Sequence, residues 1–204
     1  MKHPNIIKII CHDIGRHLGC YGVKSINSNA IDTLAKNGIL FKNSFSTSPG
    51  CSPSRAAIAT GMYPHNTGVL GLAHAHFGWS LDKKINHIAK YFSKNGYTSI
   101  LFGLQHVTYH EKTLGFNKIF PERPADEVLK NITKIIDSKI FKKPFYAEVN
   151  FFEPHRPFDY GGIKPDKSKG VYIPKYIPKN IYSRREFAET VSYTHLTLPT
   201  IAEV

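Results

Sequence analysis

The chain has 204 residues, 41% hydrophobic and 12% aromatic, enough to bury a core and to exclude a disordered polypeptide. Its 27 Lys and Arg against 15 Asp and Glu give a formal net charge of +12, which favours anionic partners such as sulfated or phosphorylated substrates. The basic residues are mostly lysines scattered among Ile and Asn, with no Arg-rich run or aromatic-basic strip, so nucleic acid is not an expected partner.

In chain order, "NIIKIIC" (5–11) is a continuous apolar run rich in β-branched residues and reads as a buried strand of a parallel sheet. The loop "HDIGRHLGCYG" follows. "SNAIDTLAKNG" then places Ile31, Leu34 and Ala35 on one face with Gly38 just beyond, a short helix with a glycine stop. "ILFKNSFST" (39–47) reads as a strand. "CSPSRAAIATG" has the grammar of a helix start, with Ser52 as N-cap, Pro53 at the first helical position and Gly61 as the stop. "LDKKINHIAKYFSKNG" is expected to be helical along Ile85, Ile88 and Phe92, and "YTSILFG" to be a buried strand. "ADEVLKNITKIIDSK" aligns Leu129, Ile132 and Ile136 on an amphipathic helix, and "PFYAEVNFF" is a further strand. Beyond Glu153 the Pro-, Gly-, Lys- and Tyr-rich texture reads as a long surface loop. Strands alternating with helices predict an α/β fold with a largely parallel sheet.

Three cysteines make a poor disulfide framework, and no CxxC pair suggests zinc. The amino terminus lacks the apolar segment and cleavage site of a signal peptide, and no apolar run is long enough for a membrane span. A cytoplasmic location is expected for the chain as it stands, and a periplasmic or secreted one if its natural start lies upstream.

Cys51 carries the chemical interest. It sits at the start of a helix, where free N–H groups and the helix dipole favour negative charge. Arg55 lies about one turn on, on the same face. Three readings fit that placement: a packed structural thiol, a thiolate nucleophile, or the precursor of a more reactive group. A phosphatase-type thiolate calls for a longer phosphate-cradling loop than the three residues between Cys51 and Arg55.

"CSPSRAAIATGMYPHNTGV" resembles the signature of the type I sulfatases of the alkaline-phosphatase-like superfamily. The resemblance continues in "NIIKIICHDIGRHLGCYG", "YTSILFGLQHV" and "PFYAEVNFFEPHRPF". "VYIPKYIPKNIYSRREFAE" is similar to the heparan N-sulfatase branch, and together these stretches cover roughly residues 4–190. The resemblance implies an α/β alkaline-phosphatase-like sandwich truncated at its C-terminus. It implies conversion of Cys51 to formylglycine by a maturase, support of that group by Arg55, and a calcium ion or another divalent cation held by Asp13, His12 and the converted Cys51. The expected substrate is a sulfated saccharide, hydrolysed at a sulfate ester or sulfamate.

Carried over position by position, Asp13 matches the second Asp of the family's Asp-Asp-x-Gly metal motif. His12 stands where the first Asp is expected, and imidazole is a poor calcium ligand. His65 matches a His after the nucleophile helix. His106 matches the His of Gly-Lys-x-His, whose Lys is replaced by Leu104 or its neighbour Gln105. An uncharged pair there cannot supply that cation to the transition state. His155 is the expected general acid. Arg156, His74 and Gln105 are candidate substrate contacts, and His74 and His76 are expected to line the substrate mouth or to lie on the surface. Residues 1–190 are expected to be the N-terminal part of a catalytic domain, inactive alone because later metal ligands find no counterpart before Val204. The tail "VSYTHLTLPTIAEV" (191–204) resembles a translated sequencing adapter and is expected to be non-native. Two rivals remain: a phosphoesterase or phosphonate hydrolase of the same superfamily, and a degenerate, glycan-binding relative.

Overall fold

A computed structural model describes residues 3–74, 76–137, 144–156 and 170–190. Two compact units divide the chain, one made of residues 1–10, 44–123 and 130–150, the other of 11–43, 124–129 and 151–204.

The first unit is built on a four-stranded sheet: β1 (Ile6–Cys11), β2 (Thr98–Gly103), β3 (Lys118–Phe120) and β4 (Phe145–Phe151), in the order β1-β4-β2-β3. β2 runs parallel to both neighbours, with Leu101 opposite Ile119 on one side and Glu148 on the other. The parallel neighbours β2 and β4 need a crossover, and the chain between them carries β3 and the helix α5 (Ala125–Asp137). The central strands bury Ile100, Leu101, Phe102, Tyr146 and Val149, as their near-continuous apolar runs predict. β1 departs from this. Its Ile7 and Ile9 are 52% and 39% exposed, so it is half-covered and not buried on both faces.

The strand expected over 39–47 does not form. Ile39, Phe41 and Phe45 stand exposed, and no described strand lies beside that backbone to complete a ladder. α4 (Ile88–Lys94) starts later than the Ile85 stripe suggests. The Nδ1 of His87 accepts the Ala89 N–H at 3.1 Å and caps the helix, while the Ile85 N–H closes a turn on the Asp82 carbonyl. Among the described side chains of α5, Ala125, Val128, Leu129, Ile132 and Ile135 are buried, whereas Ile136, expected inside, is 51% exposed.

A polar cluster lies inside this unit. Lys8 Nζ on β1 meets Glu148 Oε2 on β4 at 2.5 Å. The Tyr146 hydroxyl donates to the same oxygen at 2.8 Å, and Asn150 Nδ2 donates to Oε1 at 3.0 Å. Burial pushes the Glu148 carboxyl up, but Lys8, His87 and Asn150 outweigh it and hold it below its ordinary value. Burial lowers His87 to about 4, Glu148 pulling it up and Lys8 pushing it down.

Both shifts give acid sensitivity of one sign. The unfolded His87 takes up its proton first, so its contribution is complete above 6.5 and is lost as pH falls towards 4. That shift corresponds to about 3 kcal/mol. The Glu148 contribution is complete above 4.5 and is lost below it. Protonation also removes the Nδ1 lone pair that caps α4. Urea unfolding is therefore expected to show a stability loss between pH 6.5 and 4. His87→Asn, which keeps a capping oxygen and removes the titration, should flatten that slope.

The second unit contains α1 (Asn29–Asn37) and a helix over residues 181–190, here α6. α1 buries no residue: Leu34 is exposed, while Ile31 and Ala35 are half-buried. Its organising residue is Asp32, which accepts the Cys20 N–H at 2.7 Å and the Ser28 hydroxyl at 2.9 Å. Ser28 Oγ in turn accepts the Gly19 N–H at 2.7 Å. The loop that carries Asp13 is thereby tied to the helix. A Cβ at Gly19 would stand 2.2 Å from Asp32 Oδ2. Gly19→Ala should cost about 1–3 kcal/mol of stability, read from the thermal unfolding midpoint.

Candidate active site

In the first unit the helix α2 (Cys51–Thr60) begins two residues earlier than its Ser-Pro suggests. Gly50 is the N-cap, Cys51 occupies the first helical position and Pro53 the third. Ser52 does not cap. Its fully buried hydroxyl accepts the Ala73 N–H at 2.9 Å and pins the following segment to the helix. The small residues Ala56, Ala57 and Ala59 let the helix sink into the core, where Ala56 packs with Val69, Leu81, Val107 and Leu114. Gly61, at φ +70, ends it by donating to the Ala57 carbonyl. Cys51 is thus half-buried at the positive end of a ten-residue helix.

Arg55 lies four residues on and is 6% exposed. Its Nη1 donates to the Leu104 carbonyl at 3.2 Å, in the turn that leaves β2. A buried guanidinium fixed this way cannot swing into solvent, and its planar fork is aimed by the fold. The Gln105 side chain closes the same turn: Oε1 accepts the Val107 N–H at 2.7 Å and Nε2 donates to the Thr108 carbonyl at 2.6 Å. Gln105 therefore acts as scaffold for His106, whose φ of +59 is unusual for a residue with a Cβ. The His106 ring stacks on His74, Nε2 to Nδ1 at 3.3 Å. His65 sits on the four-residue helix α3 (Pro64–Thr67), exposed, with its ring over Tyr63. His76 is exposed.

In the second unit three candidates meet. His12, 3% exposed, donates its backbone N–H to the Glu153 carbonyl, which sets the loop after β1 against the loop after β4. Glu153 is itself buried, and its Oε1 accepts the Ala125 N–H at the start of α5. Burial pushes its carboxyl up. Asp13 adopts a left-handed backbone, φ +54, which turns its carboxylate between two imidazoles. His12 Nε2 lies 3.7 Å from Oδ1 and His155 Nε2 lies 3.7 Å from Oδ2. The His155 Nδ1 faces the Arg156 carbonyl, which can only accept, so Nδ1 carries a proton. That leaves the Nε2 side towards Asp13, where a lone pair and a carboxylate repel unless a proton or a cation lies between them.

One donor atom from each of His12, Asp13 and His155 falls within 4.8 Å of the others, which suits a divalent cation. An imidazole beside a carboxylate, as in His12 and Asp13, favours a borderline ion over calcium, which draws on six to eight oxygens. Arg156, expected at the substrate, is ion-paired with Glu186 of α6. A cavity of about 250 Å³ opens here, lined by Asp13, His17, His155, Arg156, Glu186 and Phe187 among others.

A model of the sulfatase family matches residues 4–198. The chain belongs to the sulfatase family. Among curated sulfatases it is 29% identical to human N-sulphoglucosamine sulphohydrolase over 160 residues, 74% of this chain and 32% of that protein. It is 33% identical to an ulvan-active sulfatase of Formosa agariphila over 185 residues, 88% of this chain and 35% of that one. It is 34% identical to a Delta 4,5-hexuronate-2-O-sulfatase of Bacteroides thetaiotaomicron over 196 residues, covering 88% and 40%. The chain spans about a third of the length of the first two relatives.

The fold matches that of Ps i-CgsB, crystallised with k-i-k-neocarrahexaose, at a TM-score of 0.73 and 22% identity over 99% of this chain and 55% of that one. A structure solved with D-glucosamine-2-N,6-O-disulfate gives 0.69 at 20% identity, covering 89% and 40%. The alkaline-phosphatase-like α/β class expected from the sequence is the one found. Sulfatases generally use formylglycine and a divalent metal.

Sequence reasoning missed the anchors of these candidate residues. The Leu104 carbonyl holds Arg55, and backbone oxygens leave no mark in a side-chain pattern. Asp32 lies on a helix whose apolar stripe drew attention away from it. Residues 157–169 and the suspected tail 191–204 lie outside the described residues.

Proposed function

We propose that this chain is the nucleophile-bearing part of a saccharide sulfatase that hydrolyses a sulfate ester or sulfamate through formylglycine at position 51. The observation that carries the reading is Cys51 at the first position of α2 with Arg55 one turn on, buried and anchored on Leu104. When present, the hydrated aldehyde supplies an oxygen nucleophile on a carbon bearing a second hydroxyl, and a divalent cation supplies positive charge for the sulfate oxygens.

The chain's own residues do the rest. Arg55 and the first N–H groups of α2 hold anionic charge beside position 51. Asp13, with His12, holds the cation. His155 stays off that cation: it carries a proton on Nδ1 and, when doubly protonated, delivers one from Nε2 to the leaving oxygen or nitrogen. His106, buttressed by His74, presents a second imidazole, and His65 remains a candidate for orienting the nucleophile. The maturase and the sulfated sugar are the partners this reading requires. In this reading the chain does not turn over alone, since its described donors supply a single carboxylate to the metal.

Co-expression with a formylglycine-generating maturase, followed by mass analysis of the peptide spanning Cys51, tests it. Conversion of the thiol to an aldehyde is expected. An unconverted thiol moves the chain to the glycan-binding reading. Aryl sulfate and aryl phosphate esters, offered to the longer protein that carries this chain, separate a sulfatase from a phosphoesterase of the same fold.

A further inference from the structure

The second unit holds a second, larger cavity of about 620 Å³, inside the range of roughly 300–1,000 Å³ typical of small-molecule sites. Asp13, His17 and Phe187 line both this cavity and the 250 Å³ one beside His155. The two therefore open from a shared wall at the expected metal ligand.

The larger cavity has an unusual wall. Tyr21, Tyr172, Tyr176 and Phe187 supply aromatic surface, and Arg16 is its exposed cation. The Arg16 guanidinium lies over the Tyr21 ring, 5.0 Å from its centroid, and no carboxylate pairs with it among the described residues. The Tyr21 hydroxyl donates to the Phe41 carbonyl, which fixes that ring. Tyr172 meets His17 edge-on at 5.6 Å, and His17 stacks on Phe187 at 5.3 Å. Burial lowers the His17 pKa, so among the described lining residues Arg16 carries the positive charge near neutral pH, with the Asp13 carboxylate on the shared wall.

We propose that this cavity is a saccharide subsite that takes the sugar next to the reacting one, stacked on tyrosine, with an anionic group of that sugar on Arg16. The proposal rests on the reading of the chain as a saccharide sulfatase and adds that the preferred substrate is an oligosaccharide with at least two acidic groups. The C–H face of a pyranose is apolar and faintly positive, complementary to the negative face of a tyrosine ring. A guanidinium already stacked and oriented loses little freedom when its fork takes a sulfate or carboxylate. Tyr176, 83% exposed, offers its face without rearrangement.

The test uses the purified 204-residue chain and two probes, a heparin-derived disaccharide carrying sulfate and carboxylate and the corresponding sulfated monosaccharide, followed by saturation-transfer NMR and calorimetry. Tyr176→Ala and Arg16→Gln should each weaken disaccharide binding about 3- to 10-fold, the loss of one stacking or one charged contact. The monosaccharide should be unaffected. Arg16→Gln should also remove most of the salt dependence of disaccharide binding. Both positions are exposed, and unchanged thermal midpoints would exclude unfolding as the cause. Equal losses for the two probes, no loss in either variant, or no binding of the disaccharide at millimolar concentration would overturn the proposal. Failure of the underlying reading looks different: Cys51 stays a thiol while the split between the two probes persists.

Discussion

Lys8→Met is expected to destabilise the chain by about 3–5 kcal/mol, the cost of leaving a buried carboxylate without its cation. Glu148 is 4% exposed and is reached by three donors, from Lys8, Tyr146 and Asn150. Tyr and Asn alone cannot neutralise it, so in the variant the carboxyl takes up a proton or the sheet admits water. Its pKa, now held low by Lys8, should rise, and the stability loss should shrink below pH 4.5. The double variant Lys8→Met/Glu148→Leu should recover much of the loss, since an apolar pair replaces a buried ion pair at little cost. Urea unfolding at pH 7 and pH 4 measures all three. A Lys8→Met chain as stable as the parent at pH 7 would show that the cluster does not hold β1 to β4.

Arg55→Ala is expected to lower kcat/KM about 100- to 1,000-fold in the longer protein that carries this chain, the usual loss on removing one preorganised donor from an anionic transition state. Arg55→Lys should recover little. A lysine can reach the Leu104 carbonyl but cannot present a planar fork with one arm on that carbonyl and another towards an anion. Steady-state kinetics on an aryl sulfate, with the unfolding midpoint as control, separates this effect from instability. Full rescue by lysine would mean that Arg55 serves only as a point charge.

The local geometry of the candidate site was partly legible because its pattern is compressed into a few residues. The i, i+4 spacing of Cys51 and Arg55 needs only a helix, and Pro53, the alanine run and Gly61 specify one. β2 and β4 were legible because buried parallel strands need unbroken apolar runs. The strand expected at 39–47 failed for the complementary reason: Ile39, Phe41 and Phe45 carry strand chemistry, but a strand exists only beside a partner. Leu34 and Ile136 sit at helical spacing without being covered, since periodicity says which residues share a face and not whether anything lies against it. Contacts through backbone were invisible: the Leu104 carbonyl, the Ala73 N–H on Ser52, and the left-handed turn that aims Asp13. The aromatic cavity around Arg16 was equally hidden, because its walls come from segments about 150 residues apart, Arg16 and Tyr21 on one side and Tyr172, Tyr176 and Phe187 on the other.

The most direct measurement is turnover of a sulfated sugar by the matured, metal-loaded longer protein with Cys51→Ala in this chain. The account predicts that sulfate release falls to background while the thermal midpoint holds, because a half-buried side chain at a helix start contributes little to packing. Undiminished sulfate release from the alanine variant would contradict it outright, since no other residue here is assigned the attack on sulfur.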